Sequence, residues 1–405
     1  MVVAPDASAV TESLAIYLEY ARAGVDDLLE ARTVLEVFAA ATAADSLDEG
    51  RLLALREARE TAPIHVLIAE ATGNAALALF IQAIASLSDE MTRQPAGPGP
   101  GAAPSAGGTA EPDDQPGSAG HGAIVEAITA GDALLARDRM LEHMTARRAV
   151  LAPAGRSAGP AGEDPEPGAG PAGLAGSRPY RPANAVAARI RREIVRRGWP
   201  VGESLGFEGD LLREYGVGRA QFREAIRILE NHCVVRMQRG AAGGMVVAAP
   251  DGRAVVRTAS LYLTYQGMNS AHIHDLRKEL EAATLRMAIE RLDPAGEERL
   301  MALLELERAW PDEDFPAVSH DLHGVIAELS GNQTVALLLS IVMQLSAERL
   351  YSGDPVRVIE SAQATRHAHQ AIVDAMLARD NALAQRRMRK HLAALAHSTT
   401  DRQPA

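Results

Sequence analysis

One stretch of the sequence occurs twice, and this repeat constrains the fold more than any other feature. The residues that begin at Met1, MVVAPDASAVTESLAIYLEY, return about 245 residues later at Met245 as MVVAAPDGRAVVRTASLYLTY. The sequences that follow also correspond, with Arg32 in EARTVLE matching Arg277 in DLRKELE. A long repeat indicates one structural unit used more than once. We therefore predict one helical module in two copies, with a different segment before the second copy.

The segment before the second copy is strongly basic. Residues 177–250 contain thirteen arginines, no lysine and seven acidic residues, which gives a net charge of about +6. Since the whole chain carries −12, the remainder carries about −18. A basic region in an acidic chain is typical of a nucleic-acid-binding domain, although charge alone also allows a solvated arginine-rich face. The acidic remainder argues against DNA contacts elsewhere in the chain.

Composition excludes several other classes of protein. A chain of 405 residues suggests two or three domains, and the 3% aromatic content suits helices packed through aliphatic side chains. Cys233 is the single cysteine, which excludes an intramolecular disulfide and fits a reducing cytoplasm. No apolar run reaches the roughly 18 residues that span a bilayer, and the N-terminus lacks the pattern of a signal peptide. We expect a cytoplasmic protein that has no membrane partner.

Two segments have the composition of linkers. Residues 94–120 and 152–183 are rich in Pro, Gly, Ala and Ser and contain few side chains that could pack. Such sequence does not offset its ordering entropy, and we expect it to be disordered. The predicted organisation is a first helical module at 8–149 interrupted by 94–120, a linker at 150–183, a basic domain at 184–250 and a second helical module at 254–400.

The basic domain has the periodicity of three helices followed by a hairpin. The first helix, at 184–197, has Asn184 as its expected N-cap, and its apolar face comprises Val186, Ile190 and Ile194. A short second helix ends at Gly216. The third helix, RAQFREAIRILEN, turns its arginines outward and buries Phe222, Ile226 and Leu229. The β-rich runs VVRMQ and MVVAA then flank the glycine-rich RGAAGG, which predicts a winged helix-turn-helix whose third helix enters the major groove.

The segment GVGRAQFREAIRILENHCVVRMQRGAAGG resembles the DNA-binding domain of GntR-family transcription regulators. The two helical modules resemble the effector-binding (FCD) domain of the FadR-type subgroup of that family. The resemblance implies a mainly α fold, with a winged helix-turn-helix that has a small β-hairpin wing and two all-α antiparallel helical bundles. Family members usually have one winged helix followed by one FCD domain, whereas this chain has an FCD domain, a linker, a winged helix and a second FCD domain.

The position of Met1 gives a further expectation. Because Met245 lies at the end of the wing, Met1 begins where a first wing would have ended. A tandem regulator that lost its first winged helix and a start codon assigned too far downstream would both produce this pattern. We expect the upstream codons to have encoded another winged helix, and codons without a GntR-like pattern would count against it.

The resemblance implies DNA contacts from the third helix and the wing. Arginine can form bidentate hydrogen bonds with guanine or phosphate, and glycine lets the wing backbone approach the minor groove. The corresponding candidates are Arg219, Gln221, Arg223 and Arg227 on the helix and Arg239 and Gly240 on the wing.

Three positions depart from the family pattern. Gly218 stands where serine usually precedes the first recognition-helix arginine, and Gly206–Phe207–Glu208 stands where Pro-Ser-Glu is usual. Both changes remove a hydroxyl that could hold phosphate. Cys233 replaces the glycine that usually ends the third helix, which could strain the helix exit, and we expect its side chain to pack near the junction of helix and wing. We expect DNA binding to survive with reduced affinity.

Many FCD domains bind a divalent metal through Asp-x3-His on one helix and two later histidines about 22 residues apart, and the resemblance implies such a site in each copy. Three neutral imidazoles could hold Zn²⁺, Ni²⁺ or Mn²⁺, completed by water or by an effector carboxylate. Ser319 and Thr61 stand where aspartate is expected, and His320 could supply a fourth ligand in copy two. The candidate ligands are His323, His369 and His391 in copy two and His65, His121 and His143 in copy one.

A small organic acid is the expected effector. Arg277 and Arg32, on the expected first helix of each module, could meet its carboxylate, and Ser319 and Thr61 are the other candidate contacts. The alternative is a surface salt bridge between each arginine and the nearby acidic residues.

These patterns predict a non-enzymatic transcription repressor that binds a double-stranded DNA operator and responds to a small carboxylate metabolite. Since a single winged helix binds DNA weakly, we expect a homodimer in which the second FCD domains pair between chains. Pairing of the two copies within one chain is the alternative. Two other functions stay open: a sensor or interaction protein whose DNA binding has decayed, and a metal-dependent hydrolase, which the lack of a nucleophile motif or catalytic glutamate spacing disfavours.

Overall fold

The computed structural model describes residues 7–46, 50, 55, 64–93, 120–155, 182–238, 244–311, 321–350 and 355–400. Within these residues the fold is helical with one small sheet, which confirms the predicted fold class. Most of both expected linkers, residues 94–119 and 156–181, lies outside the described part of the chain. The candidate residues that also lie outside it are Thr61, Arg239, Gly240, Ser319 and His320.

Copy one is a helical bundle whose helix starts are set by acidic and amide side chains. Asp26 and Asp27 lie in the first turn of its second helix, where negative charge interacts favourably with the helix dipole. Asn74 and Asp132 each accept a hydrogen bond from a backbone N–H in the first turn of the helix that follows them. The helices are α1 (Ala7–Tyr20), α2 (Val25–Ser46), α3 (Ile64–Ala71), α4 (Ala75–Arg93), α5 (His121–Thr129) and α6 (Ala133–Gly155).

The basic domain folds as three helices and a three-stranded antiparallel sheet, as a winged helix does. Its elements are α7 (Pro182–Arg196), β1 (Ser204–Gly206), α8 (Glu208–Tyr215), α9 (Arg219–Asn231), β2 (Val235–Gln238) and β3 (Gly244–Val247), with strand order β1-β3-β2. The six apolar side chains predicted to point inward from the first and third helices are all buried. β1 was not predicted, because three residues are too few to give an alternating pattern. It approaches β3 so closely that any side chain at Gly244 would clash with the Gly206 carbonyl.

One boundary in this domain was predicted wrongly. Helix α7 begins at Pro182, so Asn184 lies inside the helix and is not its N-cap. Proline is well suited to the first turn of a helix, because it lacks only an N–H group that has no partner within the helix.

Copy two repeats the bundle, and more of its helices lie within the described residues. Asp251, Asn269 and Asp293 cap the first three helices through their side chains. The helices are α10 (Gly252–Tyr265), α11 (Ser270–Arg291), α12 (Pro294–Ala309), α13 (Asp321–Leu329), α14 (Gln333–Leu350), α15 (Pro355–Leu377) and α16 (Asn381–Thr400).

The two copies pack against each other within the chain and share one hydrophobic core. Asn74 Nδ2 donates a hydrogen bond to the carbonyl of His272 (3.2 Å), and Asn332 Nδ2 donates one to the carbonyl of Asp27 (3.0 Å). In the repeat, Asn74 corresponds to Asn332 and Asp27 to His272, so the two bonds are equivalent. An interface that uses the same patch on both partners is the kind that identical subunits form around a two-fold axis.

This interface corrects the expectation that FCD domains pair between chains, because one chain supplies both partners. The intrachain alternative is the one observed. The pairing is not fully symmetric: Arg291 forms an ion pair with Glu30 across the interface (3.0 Å), whereas Ser46 occupies the position of Arg291 in copy one.

The winged helix docks on helix α1 of copy one, although it is joined directly to copy two. Ile16 is 2% exposed and belongs to the core of the winged helix. The Tyr20 ring packs edge-on against Trp199, with 5.4 Å between the ring centroids. The equivalent residues of copy two, Leu261 and Tyr265, are 68% and 60% exposed. The apolar docking face is thus covered in one copy and exposed in the other.

Polar contacts reinforce the docking of the winged helix on copy one. Ser13 Oγ lies 3.1 Å from His232 Nδ1, and Arg191 pairs with the Glu19 carboxylate at 3.3 Å. Arg22 also donates a hydrogen bond to the Gly198 carbonyl (3.0 Å). Copy one is therefore the bundle on which the winged helix is held.

Candidate DNA-binding surface and histidine centres

Helix α9 presents the predicted arginines on one exposed face. Its opposite face is buried in the domain core, which fixes the rotation of the helix. Arg219, Arg223 and Arg227 are exposed, and Gln221 is half-buried at the edge of the same face. The helix can therefore enter a groove with three guanidinium groups pointing outward.

One of these arginines is held in place by a neighbouring helix. Arg223 Nε donates a hydrogen bond to the Glu208 carboxylate of α8 at 3.1 Å, and both side chains are partly exposed. A solvent-exposed pair of this kind contributes little to stability. It does restrict where the guanidinium group points before any DNA is bound.

The departures from the family pattern have visible structural counterparts. Phe207 and Gly218 occupy the N-cap positions of α8 and α9, and neither makes a side-chain capping hydrogen bond. Cys233, just after α9, has φ 55°, a left-handed conformation that favours glycine. The predicted strain at the helix exit is therefore present. The expectation that Cys233 packs against the junction of helix and wing is wrong, because its side chain is exposed.

In copy two, three histidines from three helices meet in the interior of the bundle. His323 lies on α13, His369 on α15 and His391 on α16, and each is buried. One nitrogen from each ring can be chosen so that all three lie within 4.8 Å of one another. The Nε2 atoms of His323 and His391 are 3.3 Å apart. The sequence prediction that these three residues converge is thus met in the geometry.

Carboxylates hold two of these rings from behind. His323 Nδ1 lies 2.7 Å from Glu281 on α11, and His369 Nδ1 lies 2.8 Å from Glu307 on α12. A carboxylate at Nδ1 favours the tautomer whose Nε2 carries a lone pair, which is the usual arrangement of metal-binding histidines. Burial also lowers the pKa of His323, which favours the neutral form that binds metal.

Glu281 is in turn held by an arginine. Arg277 Nε donates to its carboxylate at 3.2 Å, and both side chains are buried. Burial alone would raise the pKa of the Glu281 carboxyl, but His323 and Arg277 together hold it below its usual value. Arg277, Glu281 and His323 therefore form a buried chain of charge and hydrogen bonds that leads to the histidine cluster.

Copy one contains the same arrangement. The clustered histidines are His65 on α3, His121 on α5 and His143 on α6, and their ring centroids are 4.7 to 5.1 Å apart. Glu36 lies 2.5 Å from His65 Nδ1 and accepts a hydrogen bond from Arg32 Nε at 2.6 Å. Burial alone would raise the pKa of the Glu36 carboxyl, but Arg32 and His65 hold it well below its usual range.

The two arginines lie deeper than either sequence interpretation assumed. Arg32 and Arg277 are 1% and 4% exposed, and each is bonded to a buried glutamate, so the alternative of a surface salt bridge is wrong. They lie on α2 and α11, the second helices of the two copies, because the segment before each forms its own helix. Glu36 and Glu281 were not predicted, although each stands four residues after the matched arginine in both copies, which is the signal that could have identified them.

The donor atoms present fit a divalent cation. In copy one, the Nε2 atoms of His65 and His121 are buried without a hydrogen-bond partner among the described residues. Burial lowers the pKa of His121 to about 4, so its ring is neutral at pH 7. Buried imidazole nitrogens normally find a donor, and a cluster of them that face each other is suited to Zn²⁺ or a similar metal ion. Thr61 and Ser319, which stand where the family's aspartate ligand is expected, and His320, the candidate fourth ligand of copy two, lie outside the described residues.

Among the described helices, none combines the length and the apolar character that a membrane crossing requires.

Comparison with known proteins agrees with this architecture. The FCD domain family matches residues 58–146 and 272–394, and the family described as bacterial regulatory proteins, gntR family, matches residues 182–244. The HTH-type transcriptional repressor NanR of Cronobacter sakazakii is 29% identical over 214 residues, which is 51% of this chain and 81% of that protein. NanR of Citrobacter rodentium is 28% identical over the same shares of the two chains.

Among solved structures, Streptococcus agalactiae GntR superposes with a TM-score of 0.42 and 20% identity, over 53% of this chain and 99% of that one. The two FCD matches together cover more than half of the chain, and the gntR match falls on the winged helix between them. The chain therefore belongs to the FCD subgroup of the GntR family of transcription regulators and carries its FCD domain twice.

Proposed function

We propose that this regulator represses transcription by binding an operator through helix α9 and that a small carboxylate metabolite controls its affinity for DNA. The observation that carries the proposal is the row of exposed arginines on α9, opposite a face that is fully engaged in the domain core. An arginine in the major groove can form two hydrogen bonds with the O6 and N7 atoms of guanine. The relatives from Cronobacter sakazakii and Citrobacter rodentium are named as repressors, which supports the direction of regulation.

The intrachain pairing of FCD domains determines how many winged helices reach the DNA. The winged helix at residues 182–244 lies between the two FCD copies, and we infer that it recognises one half-site. A palindromic operator needs a second winged helix at a spacing of one or more helical turns. We infer that two chains occupy such an operator. These chains would associate through a surface other than the interface between the two FCD copies of one chain.

The histidine centres are the proposed effector sites. His323, His369 and His391 in copy two, and His65, His121 and His143 in copy one, would hold a divalent metal ion. Such an ion would supply a Lewis-acidic position at which a carboxylate of the effector can bind. The buried glutamates Glu36, Glu281 and Glu307 orient the imidazole rings that they contact.

The test is a binding titration of the full chain with its own upstream intergenic DNA, in the presence of excess competitor DNA. Replacing Arg223 with alanine should weaken binding roughly 10- to 100-fold, the effect of losing one bidentate base contact. The matched control is Arg139→Ala, which removes the same charge from an exposed position on α6 of copy one. Binding that depends on salt but not on sequence, and that Arg223→Ala leaves unchanged, would instead indicate an interaction protein whose DNA recognition has decayed.

A further inference from the structure

The two histidine centres differ in one pair of residues at their edge. In copy one, Arg147 follows His143 by four residues and so lies on the same face of α6, one turn further along. Its Nη2 atom donates a hydrogen bond to Asp89 at 2.8 Å, and Arg32 Nη1 lies 3.6 Å from the same carboxylate. The repeat places Leu395 and Ala347 at these positions in copy two. A polar pair beside one centre is thus replaced by apolar side chains beside the other.

Arg147 has hydrogen-bonding capacity that the protein does not use. Its side chain is mostly buried, and its Nε atom is buried with no acceptor among the described residues. A buried guanidinium N–H without an acceptor is unfavourable, and an anion would satisfy it.

Accessibility also separates the two centres. His121 is half-buried, whereas all three histidines of copy two are buried and His369 is additionally held by Glu307. At the His121 ring, the copy one cluster therefore lies nearer to the protein surface than any of the three histidines of copy two.

Copy one is also the copy that carries the winged helix. Helix α4, on which Asp89 lies, packs against α1. The opposite face of α1 holds Ile16 and Tyr20 against the DNA-binding domain. A change in the Arg147–Asp89 pair therefore acts on a helix that contacts the docking helix directly.

We propose that the two FCD copies have different roles: copy one is the sensing copy, in which the histidine centre and Arg147 together bind an organic carboxylate, and the copy two centre is a closed structural site. This proposal rests on the proposed metal-binding and effector-binding function. Arg147 of copy one is the residue that distinguishes the two sites.

The test uses the full chain loaded with Co²⁺, whose visible absorption reports its ligands, and acetate as the carboxylate probe. Acetate should change the Co²⁺ spectrum of the wild type and of His391→Ala, which disables copy two, but not that of His143→Ala, which disables copy one. Arg147→Leu, which installs the copy two residue, should keep Co²⁺ in copy one and weaken acetate binding on the order of tenfold. Far-ultraviolet circular dichroism checks that each variant is folded, and His143→Gln replaces His143→Ala if the latter is not.

Three outcomes would overturn the proposal: an acetate response that survives in His143→Ala, acetate binding that is unchanged in Arg147→Leu, or no Co²⁺ binding at either centre. These outcomes are separate from a failure of DNA recognition. The spectra are recorded without DNA, and operator binding is measured independently with Arg223→Ala, so either proposal can fail while the other stands.

Discussion

The buried Arg277–Glu281–His323 chain gives a quantitative prediction for Glu281→Gln. Glu281 is 0% exposed, and its carboxylate contacts Arg277 at 3.2 Å and His323 at 2.7 Å. Glutamine keeps the size of the side chain but removes the negative charge, which leaves the Arg277 guanidinium buried without a counter-charge. Removing one partner of a buried ion pair costs about 3–5 kcal/mol. We expect the free energy of unfolding of the metal-free protein to fall by about that amount.

The assay is urea unfolding followed by circular dichroism, with a chelator present so that metal affinity does not contribute. Helix α11 supplies its own control, because Arg286 and Glu290 form the same i, i+4 pair at an exposed position, 3.5 Å apart. Glu290→Gln should change stability by no more than about 0.5 kcal/mol. If Glu281→Gln cost as little as Glu290→Gln, the reasoning that the buried chain is a structural ion pair would be refuted.

The same variant predicts a dependence on pH. Because its partners hold the folded-state pKa of Glu281 below the ordinary value of 4.5, ionised Glu281 stabilises the fold above that pH. This stabilisation is lost as the pH falls from 4.5 through the lowered folded-state pKa. The difference in stability between wild type and Glu281→Gln should therefore be constant near neutral pH and shrink below pH 4.5. A difference that grows on acidification would mean that the sign of the shift is wrong.

Two substitutions in the winged helix should raise stability. Cys233→Gly relieves a residue held at φ 55° and should add about 1 kcal/mol, seen as a higher urea midpoint; an unchanged midpoint would mean that the cysteine is not strained. Phe207→Ser supplies the missing N-cap of α8 and should add about 1 kcal/mol, with Phe207→Ala as the control that removes the ring without providing a cap.

The sequence was most informative where it contained an internal repeat or a clear helical periodicity of apolar residues. The inward positions of α7 and α9 followed from helical spacing. The histidine sites were implied by the resemblance to FCD domains, and the recurrence of the triplet in both copies supported them. The start of α7 was misplaced by two residues because Asn184 and Pro182 are both acceptable near a helix start, and local preference does not decide between them.

The glutamates behind the histidines were harder to identify from sequence. Glu36 and Glu281 left a signal in the repeat, since each follows its arginine by four residues. Glu307 left none, because its contact with His369 depends on how α12 packs against α15. A contact between two helices that are distant in sequence is fixed by tertiary packing, which single-chain periodicity does not encode.

The pairing of the two copies within one chain was also beyond the sequence. Two equivalent modules can pair in cis or between chains with the same residues, and the repeat is identical in both cases. In the structure, the copies pair within one chain, and Asn74 and Asn332 each donate a hydrogen bond to a backbone carbonyl of the other copy. The linker that joins the copies permits this pairing but does not demand it.

Because both FCD copies are encoded in one chain, their ligand sites can differ in sequence, whereas the two sites of a homodimer are always identical. In a homodimer, a change at one subunit's ligand site appears in both subunits, so an effector site cannot be kept in one and closed in the other. Here Arg147 and Leu395 occupy equivalent positions with opposite character, and the equivalent residues Ile16 and Leu261 are buried and exposed respectively. Both differences distinguish the same copy, because copy one has the additional arginine and also carries the winged helix. A single ligand event per chain can then act on a single DNA-binding domain, without a symmetric change in the second copy.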